Sequence, residues 1–256
     1  MLALKLLLVP AFLLLVSLAG RRWGAAVAGW LAGLPVVAGP ILFFLAAEHG
    51  TSFASKAAAM SLSAVFASVA FSVAYAHAAP RIAWPVSLLA GLGAWAAAAL
   101  ALSALPLSAT FSLAISLLTL MLAPRLFPAA QVPGTARQVG HAELACRMVA
   151  GAALTLAVTW VAGRAGPAWS GLLAVFPILG MVLAVFSHRN QGAAFAAALL
   201  RAMATGLYSF VAFCFVLSVA LPALGVALAF ALATAASLGV QAGTRRRLLA
   251  LRRQQA

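Results

Sequence analysis

Long apolar runs alternate along the whole chain with short clusters of Arg, Gly, Pro, His and Asn. Nine runs are predicted as helices: 2–19, 23–46, 52–78, 83–104, 107–123, 142–162, 168–187, 193–220 and 222–243. About 20 apolar residues cross the hydrocarbon of a bilayer, so most of these runs have the length of a membrane span. The fourth and fifth are parted only by Leu105 and Pro106. Read as one helix they would measure about 60 Å at 1.5 Å per residue, twice the hydrocarbon thickness, so a hairpin is required there. Nowhere do short segments alternate in polarity as barrel strands do.

Composition agrees with the pattern. Hydrophobic residues make up 66% of the 256 and charged residues 7%, with mean hydropathy +1.14. Soluble domains carry about 25% charged residues, so this chain lacks the polar surface that water demands. The fold class predicted is all-α, a polytopic transmembrane helical bundle of about nine helices. The first run also has some look of a signal peptide, with Ser17-Leu18-Ala19 as a small-x-small site. Its positive charge, however, follows the apolar stretch at Arg21 and Arg22 instead of preceding it.

The formal net charge of +14 reads as topology, not as a nucleic-acid surface. With nine spans and the N-terminus outside, Arg21, Arg22, Arg81, Arg125, Arg137, Arg147, Arg189, Arg201, Arg245, Arg246, Arg247, Arg252 and Arg253 fall on the cytoplasmic side. Lys5, Lys56 and Arg164 fall outside. The basic tail, 244–256, is expected to lie on anionic lipid headgroups, each basic residue contributing about 1 kcal/mol. Cys146 and Cys214 have no CxxC spacing and read as apolar packing residues.

One stretch occurs twice. GLPVVAGPILFFLAAEHGTSF from Gly33 and VFPILGMVLAVFSHRNQGAAF from Val175 align without a gap at an offset of 142 residues. Pro35 falls on Pro177, Phe44 on Phe186, Gly50 on Gly192 and Phe53 on Phe195. The offset maps the first four spans onto the last four and leaves the fifth as a connector. Five spans separate equivalent points, so the second unit enters the membrane upside down. The predicted organisation is an inverted 4 + 1 + 4 repeat: 1–104, a connector and cytoplasmic linker at 105–140, 141–243, and the tail at 244–256.

Secondary transporters are commonly built from inverted repeats with binding at broken helices. Pro35, Pro40 and Pro177 interrupt the matching second and seventh spans, with Gly33, Gly39 and Gly180 beside them. The plainer reading is that they only kink the helices or permit close approach. The pairs Gly29/Gly33 and Gly239/Gly243 have the spacing of close helix contacts. Substrate-path candidates are Pro35, Gly39, Pro40, Glu48, Lys56, Pro177, Gly180, Asn190 and Arg201. Glu48 is either a proton-linked group or a solvated helix end, and its repeat partner Asn190 does not titrate. Lys56 and Arg201 occupy the first turns of equivalent spans, as snorkelling cations or as basic gates that favour an anionic substrate or lipid headgroup. Glu143 precedes Arg147 by four residues, which suits an ion pair at the membrane edge or a gate. His49, His77, His141 and His188 form no ligand-spaced pair, and there is no HExxH or G-x-S-x-G. No enzymatic activity, metal site or cofactor is predicted.

The stretch GLLAVFPILGMVLAVFSHRNQGAAFAAALL from Gly171, with Tyr208 beyond it, resembles the short four-helix GlpM-type membrane proteins. The likeness covers about half of the chain, and the first half more faintly through Gly29, Pro35 and Gly50. It implies a fused, inverted pair of such units in the bacterial inner membrane. The architecture is also similar to that of small multidrug resistance and drug/metabolite transporters. The apolar stretch Leu6 to Ser17 lacks the glutamate of the multidrug pattern, which argues against proton-coupled drug export. Two functions are expected. One is a secondary transporter or exporter of a small or lipid-linked substrate by alternating access. The other is a non-transporting envelope protein with a membrane-protein partner.

Overall fold

A computed structural model of the chain describes residues 2–105, 108–129, 140–162, 173 and 176–253, with the side chains of 2–6, 159, 162 and 245–253 left aside. Its helices are α1 (Leu2–Trp23), α2 (Ala25–Ala32), α3 (Ala38–His49), α4 (Thr51–Ala78), α5 (Trp84–Ser103), α6 (Ala109–Leu126), α7 (His141–Ala162), α8 (Ile178–Gln191) and α9 (Ala193–Arg253). No strand occurs among the described residues. The Leu105–Pro106 hairpin, most of the linker with Arg137, the start of the predicted seventh span, and Arg164 fall in part or whole outside the described residues.

Five of the described helices are long and apolar enough to cross a membrane: α4, α5, α6, α7 and α9. The protein is built as a membrane-embedded all-α bundle. In hydrocarbon a backbone can satisfy its N–H and C=O groups only internally, and the helix does so segment by segment. Hydroxyls follow the same rule. Ser72 Oγ donates to Ser68 O, Thr119 Oγ1 to Ile115 O and Thr155 Oγ1 to Gly151 O, each one turn back.

Four glycines make the corners. Gly24, Gly50, Gly192 and Gly225 have φ of 85°, 84°, 90° and 73°. Gly50 and Gly192 match in ψ as well, 169° and 168°. This region is open to glycine alone. The backbone hydrogen bonds Gly50 N to Ala46 O and Gly192 N to His188 O close the helix before each corner. Two boundaries differ from the sequence expectation. The second span is two helices, α2 and α3, with a turn over 33–37. The eighth and ninth spans are two helical arms, here both called α9, but the corner between them is at Gly225, three residues past Pro222. Pro222 has no N–H to give Ser218 O, and Ser55 Oγ donates to that carbonyl at 2.7 Å instead, while the corner itself falls at Gly225, which takes positive φ. The basic tail continues this helix to Arg253.

The core lies between α4 and the first arm of α9. Tyr75, Phe71 and Leu62 on α4 and Leu199, Leu200, Leu217 and Leu221 on α9 are fully buried. The outer faces of α5, α6 and α7 carry exposed Leu89, Leu100, Leu118, Met121, Val149 and Trp160, as suits contact with lipid. Helix directions alternate. Arg147 Nη1 donates to Ser17 Oγ at 3.0 Å, and Gly151 lies against Val9 and Leu13, so α1 and α7 are antiparallel. Ser55 Oγ donates to Ser218 O at 2.7 Å, tying the start of α4 to the end of the first α9 arm.

Candidate functional site

The break between α2 and α3 begins with two short turns, Gly33 N to Trp30 O and Leu34 N to Leu31 O. Pro35 has no N–H to continue the helix, and Gly39 N returns to Pro35 O at 2.8 Å to start α3. Pro40 sits in the first turn of α3, where a missing N–H costs nothing. Gln241 on the second arm of α9 donates from Nε2 to Trp30 O at 3.0 Å, and Trp30 Nε1 donates to Thr244 Oγ1 at 3.0 Å. Because Trp30 O only accepts, the amide orientation of Gln241 is fixed. Its Oε1 is buried with no hydrogen-bond partner.

Beside this break lies a cavity of ≈ 570 Å³. Leu34, Pro35, Gly39, Pro40, Phe43 and Phe44 form one wall. Phe213, Phe230, Thr234, Ser237 and Leu238 from the two arms of α9 form the other. Phe43 and Phe230 meet edge-to-face, with centroids 5.3 Å apart. The lining is almost wholly apolar. Ser237 Oγ is buried there without a partner. Phe43 and Leu238 are exposed on the outer surface, so the cavity opens sideways.

At the matching Pro177 the described residues are tightly packed. Pro177 has φ −76° and ψ 51°, and Ile178 N bonds to Phe176 O at 2.7 Å, an inverse γ-turn centred on the proline. Pro177 is buried, and so are Gly180 and the five residues around it from Ile178 to Leu183. A Cβ on Gly180 would stand 3.3 Å from Met203 Sδ. Of the nine candidates, the structure brings Pro35, Gly39 and Pro40 together at a cavity, with Pro177 and Gly180 at a packed counterpart. Asn190 is half-buried in the last turn of α8, while Glu48 and Lys56 are exposed.

Arg201 stands elsewhere, half-buried on the first arm of α9. Its Nη2 donates to Phe127 O at 3.3 Å and Pro128 O at 2.7 Å, the carbonyls just past the end of α6. Arg147 is 3% exposed and pairs with Glu143, with its guanidinium 5.7 Å from the Phe186 ring centroid. It is a buried tie between α7, α1 and α8, deeper than an edge pair. Tyr75 Oη and His188 Nδ1 lie 3.2 Å apart and join α4 to α8.

Sequence reasoning passed over Gln241 and Gly206. Gln241 carried a signal, since an amide inside an apolar span needs a partner. Gly206 had none that one chain alone reveals. A Cβ on it would stand 3.0 Å from Gly33 Cα, and one on Gly33 only 2.5 Å from Gly206 Cα. Of the two small-residue pairs, Gly29/Gly33 makes this backbone contact, whereas Gly239 and Gly243 have nothing within 4 Å. Among the described residues no three His, Cys, Asp or Glu side chains cluster. No protein-family model matches the chain, and neither a curated protein nor a solved structure is similar to it.

Proposed function

We propose that the chain is a secondary carrier for an amphiphilic, lipid-like substrate, built as an inverted 4 + 1 + 4 repeat and working by alternating access. The observation that carries this reading is the pair of equivalent helix breaks in unlike states. The break at Pro35 borders a laterally open apolar cavity of ≈ 570 Å³, whereas among the described residues the turn at Pro177 leads into a buried segment with Met203 against Gly180. A carrier caught with one face open needs this asymmetry. Two further features support the repeat. Gly50 and Gly192 share one corner conformation. The antiparallel pairs α1 with α7 and α4 with the first arm of α9 each join equivalent helices, as an in-plane pseudo-two-fold requires. The apolar lining favours the lipid-linked end of the substrate range. The likeness to GlpM-type units and the inner-membrane placement, N-terminus outside, belong to the same reading.

Two measurements test it. Ser52→Cys and Ala194→Cys mark equivalent sites after the two corners, in a background of Cys146→Ser and Cys214→Ala. An impermeant thiol reagent added outside intact cells should label the first alone; labelling of both or neither removes the inverted repeat. Purified protein in vesicles should speed the transbilayer movement of fluorescent fatty-acid or phospholipid analogues. Thr234→Phe, which fills the cavity, should abolish the gain. Rates equal to protein-free vesicles across both probes would leave the chain as a non-transporting membrane protein.

A further inference from the structure

A second cavity region surrounds Arg201. One cavity of ≈ 620 Å³ is lined by Leu120, Ala123, Phe127, Thr205, Tyr208 and Val240, and Arg201 closes one side of it. A smaller one of ≈ 270 Å³ lies against Pro80, Pro128, Ala129 and Ala194, near the loop ends. Arg201, Phe127 and Thr205 border both, so they form the partition between the two. Arg201 and Thr205 are four residues apart on one helix face.

Among the described residues the charge of Arg201 has no carboxylate counterpart. The sequence holds two acidic side chains. Glu143 is bound to Arg147, and Glu48 is exposed at the end of α3. The linker that continues from Ala129, AQVPGTARQV, contains no acid. Guanidinium has five N–H donors, and only Nη2 is engaged among the described residues. Thr205 Oγ1 likewise has no partner among them. The guanidinium also lies 5.7 Å from the Phe127 ring centroid, but a half-buried cation held by two carbonyls and a ring, with no carboxylate, is incompletely compensated, and such residues within membrane spans mark ligand paths.

We propose that Arg201 and Thr205 bind the phosphate or carboxylate group of an amphiphile, whose apolar chain occupies the ≈ 620 Å³ cavity along Leu120, Ala123 and Val240. Guanidinium matches either oxyanion with paired, charge-assisted hydrogen bonds. The site deepens the carrier reading by giving the substrate a negative head, and its test does not require transport.

The full chain, purified in a neutral sugar detergent, is titrated with octyl phosphate, and its unfolding temperature is followed. A ligand that binds only the folded state raises that temperature saturably. Octyl phosphate should do so, while octyl phosphocholine should not. Inorganic phosphate alone distinguishes the sources: no shift means an amphiphile, and an equal shift means a free phosphate at the same site. Arg201→Gln should weaken octyl phosphate about tenfold or more, and Arg201→Lys should recover part of it. If Arg201→Gln does not fold, Thr205→Leu and Ala204→Trp, which block the cavity and leave the cation, should abolish the shift. Equal shifts in wild type and Arg201→Gln, or with phosphocholine as with phosphate, overturn the proposal. A phosphate shift without any lipid movement in vesicles leaves this site standing and removes the carrier.

Discussion

The contact between α2 and α9 makes an unusually sharp prediction, because the same substitution should have opposite signs at different glycines. Gly33 and Gly206 bring two backbones together. A methyl on Gly206 would lie 3.0 Å from Gly33 Cα and 3.1 Å from Trp30 C. Ordinary carbon contacts are about 3.5–4.0 Å, and Trp30 O stands closer still to that methyl, so the helices must part by roughly 1 Å or more. Parting also strains the hydrogen bonds that hold Trp30 to Gln241 and Thr244, both 3.0 Å long. Overpacking costs about 1–3 kcal/mol and each lost hydrogen bond about 1 kcal/mol, so Gly206→Ala and Gly33→Ala should each destabilise by about 2–4 kcal/mol. Gly93, on the exposed face of α5, has nothing within 4 Å. Gly93→Ala should instead be neutral or stabilise by up to about 1 kcal/mol, since alanine is the better helix former. Equilibrium unfolding of the three variants in mixed micelles, followed by circular dichroism, measures the difference. If Gly33→Ala and Gly206→Ala unfold at the same point as Gly93→Ala, the two backbones are not in contact and the broken helix is not anchored as described.

Three further outcomes follow from local geometry. Gly50→Ala and Gly192→Ala meet no neighbour within 4 Å, so their cost comes from positive φ alone; each should lose about 1–3 kcal/mol of unfolding free energy, and by similar amounts. Glu143→Gln leaves Arg147 buried without its carboxylate and should cost about 3–5 kcal/mol in the same unfolding assay, with much of it recovered in Glu143→Gln/Arg147→Met. Gln241→Leu removes both the bond to Trp30 O and the unpartnered Oε1, so it should stay within about 1 kcal/mol of wild type. Gln241→Glu sets a carboxylate oxygen against that carbonyl and should cost more in thermal unfolding.

What the sequence could and could not say divides along a physical line. Features set by the chain's own backbone were legible. Proline at 35 and 177 removes a donor wherever it stands, and the glycines at 50 and 192 end apolar runs in polar turns. Features set by which helices meet were not. Gly29 and Gly239 begin identical small-residue pairs, and only the approach of α9 makes the first a contact and leaves the second open. Pro222 placed the break to within three residues. The proline ends hydrogen bonding at one point, but the bend waits for Gly225, where positive φ is accessible. Arg147 was legible as a partner of Glu143 from its spacing, yet not its burial, which depends on Ser17 of α1 and Phe186 of α8. Lys56 and Arg201 sit in the first turns of matching spans, three residues apart in register. They differ because α6 ends beside Arg201, and the carbonyls of Phe127 and Pro128 draw the guanidinium in, while Lys56 has no such helix end and stays exposed.

On the carrier reading proposed above, that asymmetry bears on how two like halves would rest in unlike states. If the halves were fully equivalent, the state with Pro35 open and the state with Pro177 open would have equal energy. Single elements must therefore tip the balance, and Met203 is placed to do so, with its sulfur filling the space beside Gly180. Met203→Ala removes buried side-chain contacts from the closed site, worth about 2–5 kcal/mol where the cavity does not collapse. A bias of that size is enough to move a two-state population by a factor of tens or more. Leu183, 1% exposed on α8, reports on the closed site, and Leu217, fully buried on α9, reports on the core away from it. In the Met203→Ala background, a cysteine at 183 should react with a small thiol reagent at least about tenfold faster, and a cysteine at 217 should not. Equal acceleration at both positions would mean a loosened core, and the unlike states of the two breaks would then be fixed features of the fold instead of two ends of one motion.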